Sequence, residues 1–214
     1  MATDRTKVHR APQKQVFEPE VTRRILERAI VAHVAINVEG QPYCLPVACA
    51  PMGSELLLHG SIASRLFKAL MSGTPACVTI TLVDALVLAR SSFESSMHYH
   101  SLMALGTARI LNEKEKRVAL QALTDHLFPE RRSDLRPSTE SEIKATAILA
   151  FPLTEISIKV SNGEPDDPDT DLDADVWAGI IPISSYYETP VPAKNLKKEI
   201  SLPDYITRWP KNRL

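Results

Sequence analysis

The sequence predicts a mainly β fold, an antiparallel barrel with helices inserted between its strands. Nine segments have the alternating or β-branched apolar residues that are typical of strands, and six or seven strands are expected to form the barrel. The connections between these segments are too short for regular parallel crossovers, which favours antiparallel pairing. The 214 residues, 44% of them hydrophobic and 24% charged, can bury one large core and contain no internal repeat.

The order of the elements follows from the period of the apolar residues. Residues 19–30 have the apolar stripe of a short surface helix, and residues 31–38 then alternate as a strand with one buried face. Glu39 and Gly40 can turn the chain into a second strand over residues 41–50, which completes a hairpin. Further strands are predicted at residues 55–59, 76–83, 86–90, 102–111, 146–151, 154–160 and 176–183.

Capping signals predict three more helices. Ser64 is a possible N-cap and Gly73 a terminator of a short helix between them. Asn112 and Thr139 each precede a glutamate by three residues, which is the spacing of a capping box. In the helix after Asn112, the residues expected to face inward are Val118, Ala119, Ala122, Leu123 and Leu127.

Two features interrupt the strand pattern. Pro42 and Pro46 remove hydrogen-bond donors from the second strand, so we expect this strand to lie at a sheet edge or to open toward a ligand. A tight turn near Asp84 is expected to separate the strands at residues 76–83 and 86–90.

The composition limits the classes of partner and the compartment. The 25 basic and 26 acidic residues give a net charge of -1, which provides no overall field for nucleic acid or an anionic membrane. The three cysteines lack the spacing of a zinc site and are expected to be reduced thiols. No segment has the length of a membrane helix, and the first fifteen residues lack the apolar core of a signal peptide. We therefore expect a cytoplasmic protein whose partners are small molecules or other proteins.

Residues 59–65, HGSIASR, combine groups that can bind a phosphate. Gly60 permits close approach of the backbone, Ser61 and Ser64 offer hydroxyl donors, and the following helix presents unpaired N–H groups. Arg65 adds a planar guanidinium that matches paired oxygens. The alternative is a plain N-cap with an exposed arginine, and the local pattern alone favours that alternative.

Six motifs occur in an order that is typical of one superfamily: GQPYCLPVACA, LLLHGSIASR, CVTITLVDALVLARSSF, MHYHSLMALGTARIL, ISIKVSNGEP and VWAGIIPI. The chain resembles the FMN-binding split-barrel proteins related to pyridoxamine 5'-phosphate oxidase, in particular the nitroimidazole-resistance-like flavoproteins. The resemblance runs from about residue 10 to the final LPDYI. It implies a six-stranded antiparallel Greek-key split barrel with peripheral helices, and a homodimer with FMN in each of two clefts between the subunits.

On this resemblance, residues 1–214 form a single FMN-binding domain. Residues 1–17 are then an N-terminal arm, residues 162–175 an acidic loop and residues 184–214 a C-terminal tail. The implied cofactor-binding residues are Tyr43, Leu45, Pro46, His59, Gly60, Ser61, Ser64, Arg65, Ser101 and Trp177.

The resemblance also implies a role for most of these residues. Ser64 and Arg65 would bind the flavin phosphate, and the second strand would place main-chain groups at the polar edge of the flavin ring, with Tyr43, Leu45 and Pro46 as the candidates. The segment from His59 to Ser61 would line the ribityl chain and the ring. Ser101 would reach the flavin, in some relatives across the dimer. Trp177 would pack near the cofactor, although a tryptophan on a strand is also commonly a core residue.

Two departures from the family pattern affect these expectations. His100 stands where the nitroimidazole-resistance-like flavoproteins commonly have an arginine. If that arginine helps to neutralise the flavin phosphate, its replacement by an imidazole is expected to make flavin binding weaker or sensitive to pH. Ile180 and Ile181 stand in the region where pyridoxamine phosphate oxidases carry a phosphate-binding arginine. Because a second phosphate would lack a fixed cation there, oxidation of vitamin B6 is not expected.

The leading hypothesis is an FMN-dependent oxidoreductase that reduces a small organic acceptor, such as a nitroaromatic or a quinone, with electrons from a nicotinamide cofactor. His59 is the candidate catalytic residue, as a proton donor or as a group that positions the acceptor. One alternative is a haem-binding or haem-degrading split-barrel protein with His98 or His100 as axial ligand. Another is a flavin-binding protein without turnover. A metal site of His59, His98 and His100 is not expected, since no further ligand has a suitable spacing.

Overall fold

The computed structural model describes residues 3–209, in which the chain forms ten β-strands and five α-helices. The strands are β1 (Gln15–Val16), β2 (Val31–Val38), β3 (Gln41–Met52), β4 (Glu55–Ser61), β5 (Ala76–Leu88), β6 (Ser96–Gly106), β7 (Arg109–Ile110), β8 (Thr146–Pro152), β9 (Glu155–Ser161) and β10 (Gly179–Pro182). The helices are α1 (Pro19–Arg28), α2 (Arg65–Met71), α3 (Glu113–Leu127), α4 (Glu140–Ala145) and α5 (Asp204–Thr207). Short 3-10 turns lie at Pro12–Lys14, Arg131–Asp134 and Asp169–Asp171.

The strands belong to one antiparallel sheet in the order β1-β9-β6-β5-β2-β3-β4-β8-β7, with β10 paired to β5. β8 and β9 follow each other in the sequence, but β8 pairs with β4 and β9 with β6. The fold is therefore mainly antiparallel β, as expected, and is consistent with a split barrel. The expectation of six strands is wrong, because the sheet has ten strands and is not closed. β10 lies within the strand predicted at residues 176–183 and β7 within that predicted at residues 102–111, whereas β1 is two residues long and has no readable periodicity.

Two apolar clusters lie on opposite faces of the sheet. We call the face of Val34, Val78 and Leu102 the inner face, because these side chains are fully or almost fully buried in the larger cluster together with residues of α1 and α2. The opposite, outer face carries the smaller cluster, where α3 covers β4 and β8. The smaller cluster consists of Ala50, Leu57, Leu111, Ala119, Leu123, Ile148 and Ala150.

The expected turn near Asp84 is wrong, because β5 continues through this position as one strand. The pairing with β6 shifts register between Val83 and Ala85, so Asp84 is the extra residue of a β-bulge. A bulge places a polar residue in a strand without ending it, and the Asp84 side chain lies within hydrogen-bond distance of the His100 ring.

Two other expectations differ from the structure. The strand expected at residues 102–111 begins earlier, at Ser96, and ends at Gly106 as β6. Val118 was expected to face inward from α3, but 58% of it is exposed. Ala119 and Leu123 carry the apolar contact of this helix, and both capping boxes are formed as predicted.

The N-terminal arm and the acidic loop are attached to the sheet. In the arm, β1 pairs with β9 and the Arg5 guanidinium forms an ion pair with Glu155. In the acidic loop, the almost fully buried side chain of Asp167 accepts hydrogen bonds from the backbone N–H and the guanidinium of Arg90. Residues 1–2 of the arm lie outside the described residues.

The C-terminal tail is exposed along most of its length and attached at its end. Residues 184–202 are exposed and form no helix or strand. The Tyr205 hydroxyl then donates to Asp134 at 2.6 Å, and the Trp209 indole N–H donates to the carbonyl of Pro129 at 3.0 Å. Residues 210–214 lie outside the described residues. Over residues 3–209, no helix has the length and apolar character needed to cross a membrane.

Candidate functional site

The feature that organises the candidate site is a change of partner along β3. Residues 41–48 pair with β2, whereas pairing with β4 begins only at Ala48. On the side away from β2, residues 41–47 therefore have no partner strand among residues 3–209. We call this stretch the open edge. It confirms the expectation that the strand containing Pro42 and Pro46 lies at an edge.

The two prolines leave few donors on the open edge. The N–H of Cys49 donates to the carbonyl of Ile30 on the β2 side. Alternate residues of a strand direct their N–H and C=O groups to opposite sides. Since Cys49 donates toward β2, the backbone groups of residues 42, 44 and 46 face the open side. Pro42 and Pro46 have no N–H, so Cys44 supplies the N–H donor of this stretch. Cys44 was not among the predicted site residues. Its position between the two prolines of an edge strand is the sequence signal that could have indicated it.

The HGSIASR segment comprises the end of β4, a turn and the start of α2. The Ser64 Oγ accepts a hydrogen bond from the N–H of Phe67 at 3.2 Å and thereby caps α2, as the plain N-cap interpretation predicts. The Ser61 Oγ accepts from the N–H of Ala63 at 3.2 Å. Because both hydroxyls act as acceptors toward the backbone, their O–H groups remain available as donors.

Gly60 has a packing role at this turn. A Cβ atom at Gly60 would lie 2.7 Å from Cδ2 of Phe67, well inside contact distance. Phe67 is buried in the larger core and anchors α2. The glycine that the sequence pattern assigned to ligand approach is therefore also required for the packing of α2 against β4.

Arg65, the first residue of α2, lies beside the open edge. Its guanidinium carbon lies 4.7 Å from the ring centroid of Tyr43, a cation–π contact. The side chain is exposed and forms no ion pair with any residue between 3 and 209. The stack holds the guanidinium next to β3, where no carboxylate of the described part of the chain compensates its charge.

His59 lies on the outer face, directly opposite Ala48 of β3 and Ile148 of β8. Its partial burial lowers the pKa of the imidazole from its usual 6.5, so the ring is mostly neutral at neutral pH. By strand alternation, Pro46 shares the outer face with His59, whereas Tyr43 and Leu45 point to the inner face. The side chains of Tyr43 and Leu45 and those of Pro46 and His59 thus lie on opposite faces of the sheet. What the β3 residues share is the backbone of the open edge, which is where a flat ligand could contact them together.

Ser101 and Trp177 are not beside α2 in the single chain. Ser101 lies on β6, which β5 and β2 separate from β3, and its hydroxyl donates to the carbonyl of Lys159 at 3.4 Å. Trp177 precedes β10 and lies over Gly179, and 66% of it is exposed. The interpretation of Trp177 as a core residue is therefore wrong.

His100 is paired with a carboxylate. Its Nδ1 lies 2.7 Å from Oδ2 of Asp84, and the other oxygen of Asp84 lies 3.4 Å from the Arg28 guanidinium. His98 precedes His100 on β6, while His59 lies on β4, several strands away. No group of three or more histidine, cysteine or acidic side chains within the described residues could hold a metal ion. The three histidines are therefore not brought together.

The chain is similar to one protein family and to several solved structures. The family model described as pyridoxamine 5'-phosphate oxidase matches residues 18–160. A search of curated protein sequences found no match to the chain.

Two solved structures are similar to the chain along almost its whole length. The FAD and heme binding protein from Mycobacterium smegmatis is 37% identical, with a TM-score of 0.90, and the match covers 94% of this chain and 98% of that one. The flavocytochrome Anf3 from Azotobacter vinelandii is 34% identical, with a TM-score of 0.91 and 96% of both chains covered. A candidate 5-nitroimidazole antibiotic resistance protein from Bacteroides thetaiotaomicron is 22% identical, with a TM-score of 0.59 over 68% of this chain and 86% of that one, and shows the shared fold alone.

Proposed function

This chain belongs to the pyridoxamine 5'-phosphate oxidase family, and from that membership we propose that it is a flavin-binding redox protein. The observation that carries the proposal is the Arg65 guanidinium, which is stacked on Tyr43 beside the open edge and forms no ion pair with a carboxylate of residues 3–209. A buried or ion-paired arginine would have little affinity for a further anion, whereas this one is available. The names of two similar proteins, one FAD-binding and one a flavocytochrome, support a flavin as the ligand.

The residues around Arg65 fit the phosphate of a flavin nucleotide. The guanidinium can contact two phosphate oxygens at once, and charge-assisted contacts of this kind are stronger than neutral hydrogen bonds. The hydroxyls of Ser61 and Ser64 retain their donors and lie in the same turn. This phosphate is common to FMN and FAD, so the fit supports both nucleotides.

The open edge fits the polar side of a flavin ring. An imide presents an N–H next to a carbonyl, and the main chain of Cys44 presents a C=O and an N–H on the open side in the same way. We infer that the ring lies along residues 43–46, with its contacts made by the backbone. His59 and Pro46 then face it from the outer face of the sheet.

A bound flavin would supply hydride chemistry, accepting a hydride from a reduced nicotinamide and passing two electrons to a quinone or nitroaromatic acceptor. Reduction of a quinone to a quinol consumes that hydride and one proton. His59 is our candidate for the group that donates the proton or holds the acceptor. The lowered pKa of His59 leaves only a small protonated fraction at neutral pH, and this fraction grows as the pH falls.

We propose further that the chain forms a homodimer. Ser101 lies on β6 and Trp177 precedes β10, several strands from β3 in the sheet, which supports a second chain as the way to bring them to the same flavin. The outer face of this part of the sheet carries an apolar row across three strands, in which Leu86 lies opposite both Met97 and Ile181. These three side chains are 45%, 46% and 46% exposed in the single chain, as is expected of an interface.

Haem binding is the second candidate function, and the pair formed by His100 and Asp84 favours it. An imidazole that binds a metal through one nitrogen typically donates its other N–H to a carboxylate, which orients the ring and increases its basicity. His100 already has such a partner at Nδ1, and its Nε2 remains for an axial bond. The similar protein from Mycobacterium smegmatis, by its name, binds both FAD and heme. The two functions are compatible.

Replacement of Arg65 tests flavin binding. Purified wild-type protein is expected to be yellow, and Arg65→Gln should weaken flavin affinity about tenfold to a hundredfold, the range for loss of a charge-assisted contact. Arg24→Gln is the control, since Arg24 is exposed on α1. Titration of the apoprotein with flavin, followed by fluorescence quenching, measures both. A wild-type protein that binds no flavin contradicts the proposal.

Replacement of His59 tests its role in turnover. If His59 donates a proton, wild-type quinone reduction should increase as the pH falls through the lowered pKa of His59, which lies below the usual 6.5 of an imidazole, and His59→Gln should abolish this increase while flavin remains bound. If His59 positions the acceptor, the variant should raise KM at every pH. Turnover by His59→Gln equal to that of wild type across pH 5.5 to 8 would exclude both roles.

Leu86→Glu tests the dimer. A carboxylate in the apolar row should separate the chains, because an unpaired charge is costly to bury. Light scattering should give the mass of two chains for wild type and of one chain for the variant, which should also lose flavin. A wild-type mass of one chain at micromolar concentration would disprove the proposal.

His100→Ala tests haem binding. Wild-type protein mixed with haemin is expected to show a sharp Soret band, and His100→Ala should lose or shift this band, with recovery on addition of free imidazole. Asp84→Asn should retain the band but shift it, since the ring loses its anionic partner. His98→Ala is the matched control on the same strand. An unchanged spectrum of His100→Ala rules out His100 as the ligand.

A further inference from the structure

Residues 188–204 form a loop whose ends are held together, and we call it the tail loop. At its base, the rings of Tyr187 and Trp209 meet edge to face, with their centroids 5.5 Å apart. The hydroxyl of Tyr205 donates to Asp134 at 2.6 Å, which attaches the base to the segment after α3. The base is therefore fixed to the body of the chain, while the residues between its ends extend into solvent.

The tail loop carries apolar side chains that its own chain does not cover. Every residue from 188 to 202 is exposed. The large apolar side chains of this stretch are 90%, 43%, 51% and 47% exposed, in the order Val191, Leu196, Ile200 and Leu202. Apolar side chains grouped in this way mark a contact surface. Because the base is already closed, docking orders only the residues between its ends, which lowers the entropic cost of binding.

The middle of the tail loop is positively charged. Among residues 3–209, no carboxylate forms an ion pair with Lys194, Lys197 or Lys198. Glu199 adjoins these three lysines, so residues 194–199 have a net charge of +2. The surface that complements the tail loop is therefore acidic and partly apolar.

The acidic loop, residues 162–175, has both of these properties. It contains seven carboxylates and no basic residue. Asp167 is paired with Arg90, whereas the remaining six carboxylates have no basic partner among the residues that the structure describes. Leu172 and Val176, within the loop and just after it, are 50% and 53% exposed. Over the described part of the single chain, no ion pair joins the acidic loop to the tail loop, so their opposite charges are not used within one chain.

The two loops flank β10 in the sequence, and β10 is part of the proposed dimer contact. Ile181 of β10 belongs to the apolar row, and the N–H of Ile183 donates to the carbonyl of Asp84 on β5 at 2.8 Å. In a dimer with twofold symmetry, a contact made by β10 of both chains brings the segments that flank β10 in one chain toward those of the other. The 17 residues of the tail loop, folded back on themselves, can reach about 25 Å from their base.

The apolar row alone is too small for a stable dimer. Its three side chains are each less than half exposed, whereas a stable interface buries about 800 Å² on each partner. The dimer therefore needs a further contact surface, and the exposed apolar side chains of the tail loop provide one.

We propose that the partner of the tail loop is a second copy of this chain. In the homodimer, the tail loop of each subunit packs on the acidic loop of the other, with its three lysines facing the carboxylates. This inference rests on the proposed homodimer. It adds two symmetric contacts between the subunits, and it makes the stability of the dimer depend on salt, because exposed ion pairs are screened.

Charge exchange between the loops tests this arrangement. The tail variant carries Lys194→Glu, Lys197→Glu and Lys198→Glu. The loop variant carries Asp169→Lys, Asp173→Lys and Asp175→Lys. Each variant alone presents like charges on the two loops, so the dissociation constant of its homodimer should be at least about tenfold higher than that of wild type at low salt. Sedimentation equilibrium measures these constants. The wild-type constant should also rise between about 50 and 500 mM salt, which tests the charges without any substitution.

In an equal mixture of the two variants, each loop meets a loop of opposite charge. The heterodimer should therefore form with an affinity within about threefold of the wild-type homodimer. The control variant has the same net charge as the tail variant but carries its substitutions at other exposed positions, Lys7→Glu, Lys114→Glu and Lys144→Glu. It should form homodimers like wild type, and it should bind the loop variant less tightly than the tail variant does.

The outcomes separate this inference from the proposed homodimer. A wild-type chain that is monomeric at micromolar concentration overturns both. A wild-type dimer whose dissociation constant does not change with salt, or variant homodimers of unchanged affinity, overturn the contact between the loops alone. Variants that dissociate, remain folded by circular dichroism and fail to pair in the mixture also overturn it.

Discussion

The separation of β4 from β3 before Ala48 determines where a ligand can approach this chain. A strand with an unpaired edge exposes hydrogen-bonding groups that another strand can pair with, which is a risk of aggregation. Pro42 and Pro46 reduce this risk because a partner strand would find only one donor along residues 41–47. The donor that remains, at Cys44, is too little for a β-ladder, whereas the flavin ring proposed to lie here would need only one such donor.

The cation of the site depends on the packing of α2 into the larger core. Leu66, Phe67 and Leu70 are almost fully buried, and burial of each such side chain contributes roughly 1.5–3 kcal/mol. These contacts fix the rotation of the helix, which directs Arg65 away from the core. The position of the charge is thus set by apolar residues that contact no ligand, and Gly60 is the position that permits this packing.

The parts of the structure that could be predicted from the sequence are mainly local. The β2–β3 hairpin, the Ser64 cap and the capping box at Asn112 each depend on residues a few positions apart, and all are formed. The proline pattern also indicated the open edge. The bulge at Asp84 was mistaken for a turn, because a single polar residue within an apolar run looks the same in both cases.

The long-range contacts of the site were beyond prediction from local patterns. The stack of Arg65 on Tyr43 joins residues 22 positions apart, and the pair of Asp84 and His100 depends on the register of β5 and β6. Such contacts follow from strand order, which periodicity does not determine. The resemblance to a family placed residues near a cofactor, but it did not indicate Cys44.

The attachment of Tyr205 and Trp209 affects how far the length of the C-terminal tail can change. Because Tyr205 and Trp209 fasten the end of the chain to the segment after α3, residues 184–202 form a loop that is tethered at both ends. The entropy of closing such a loop changes only with the logarithm of its length, about 0.6 kcal/mol for each doubling. Insertions and deletions in this stretch should therefore cost the fold little, so its length and composition can change without loss of the attachment at Tyr205 and Trp209.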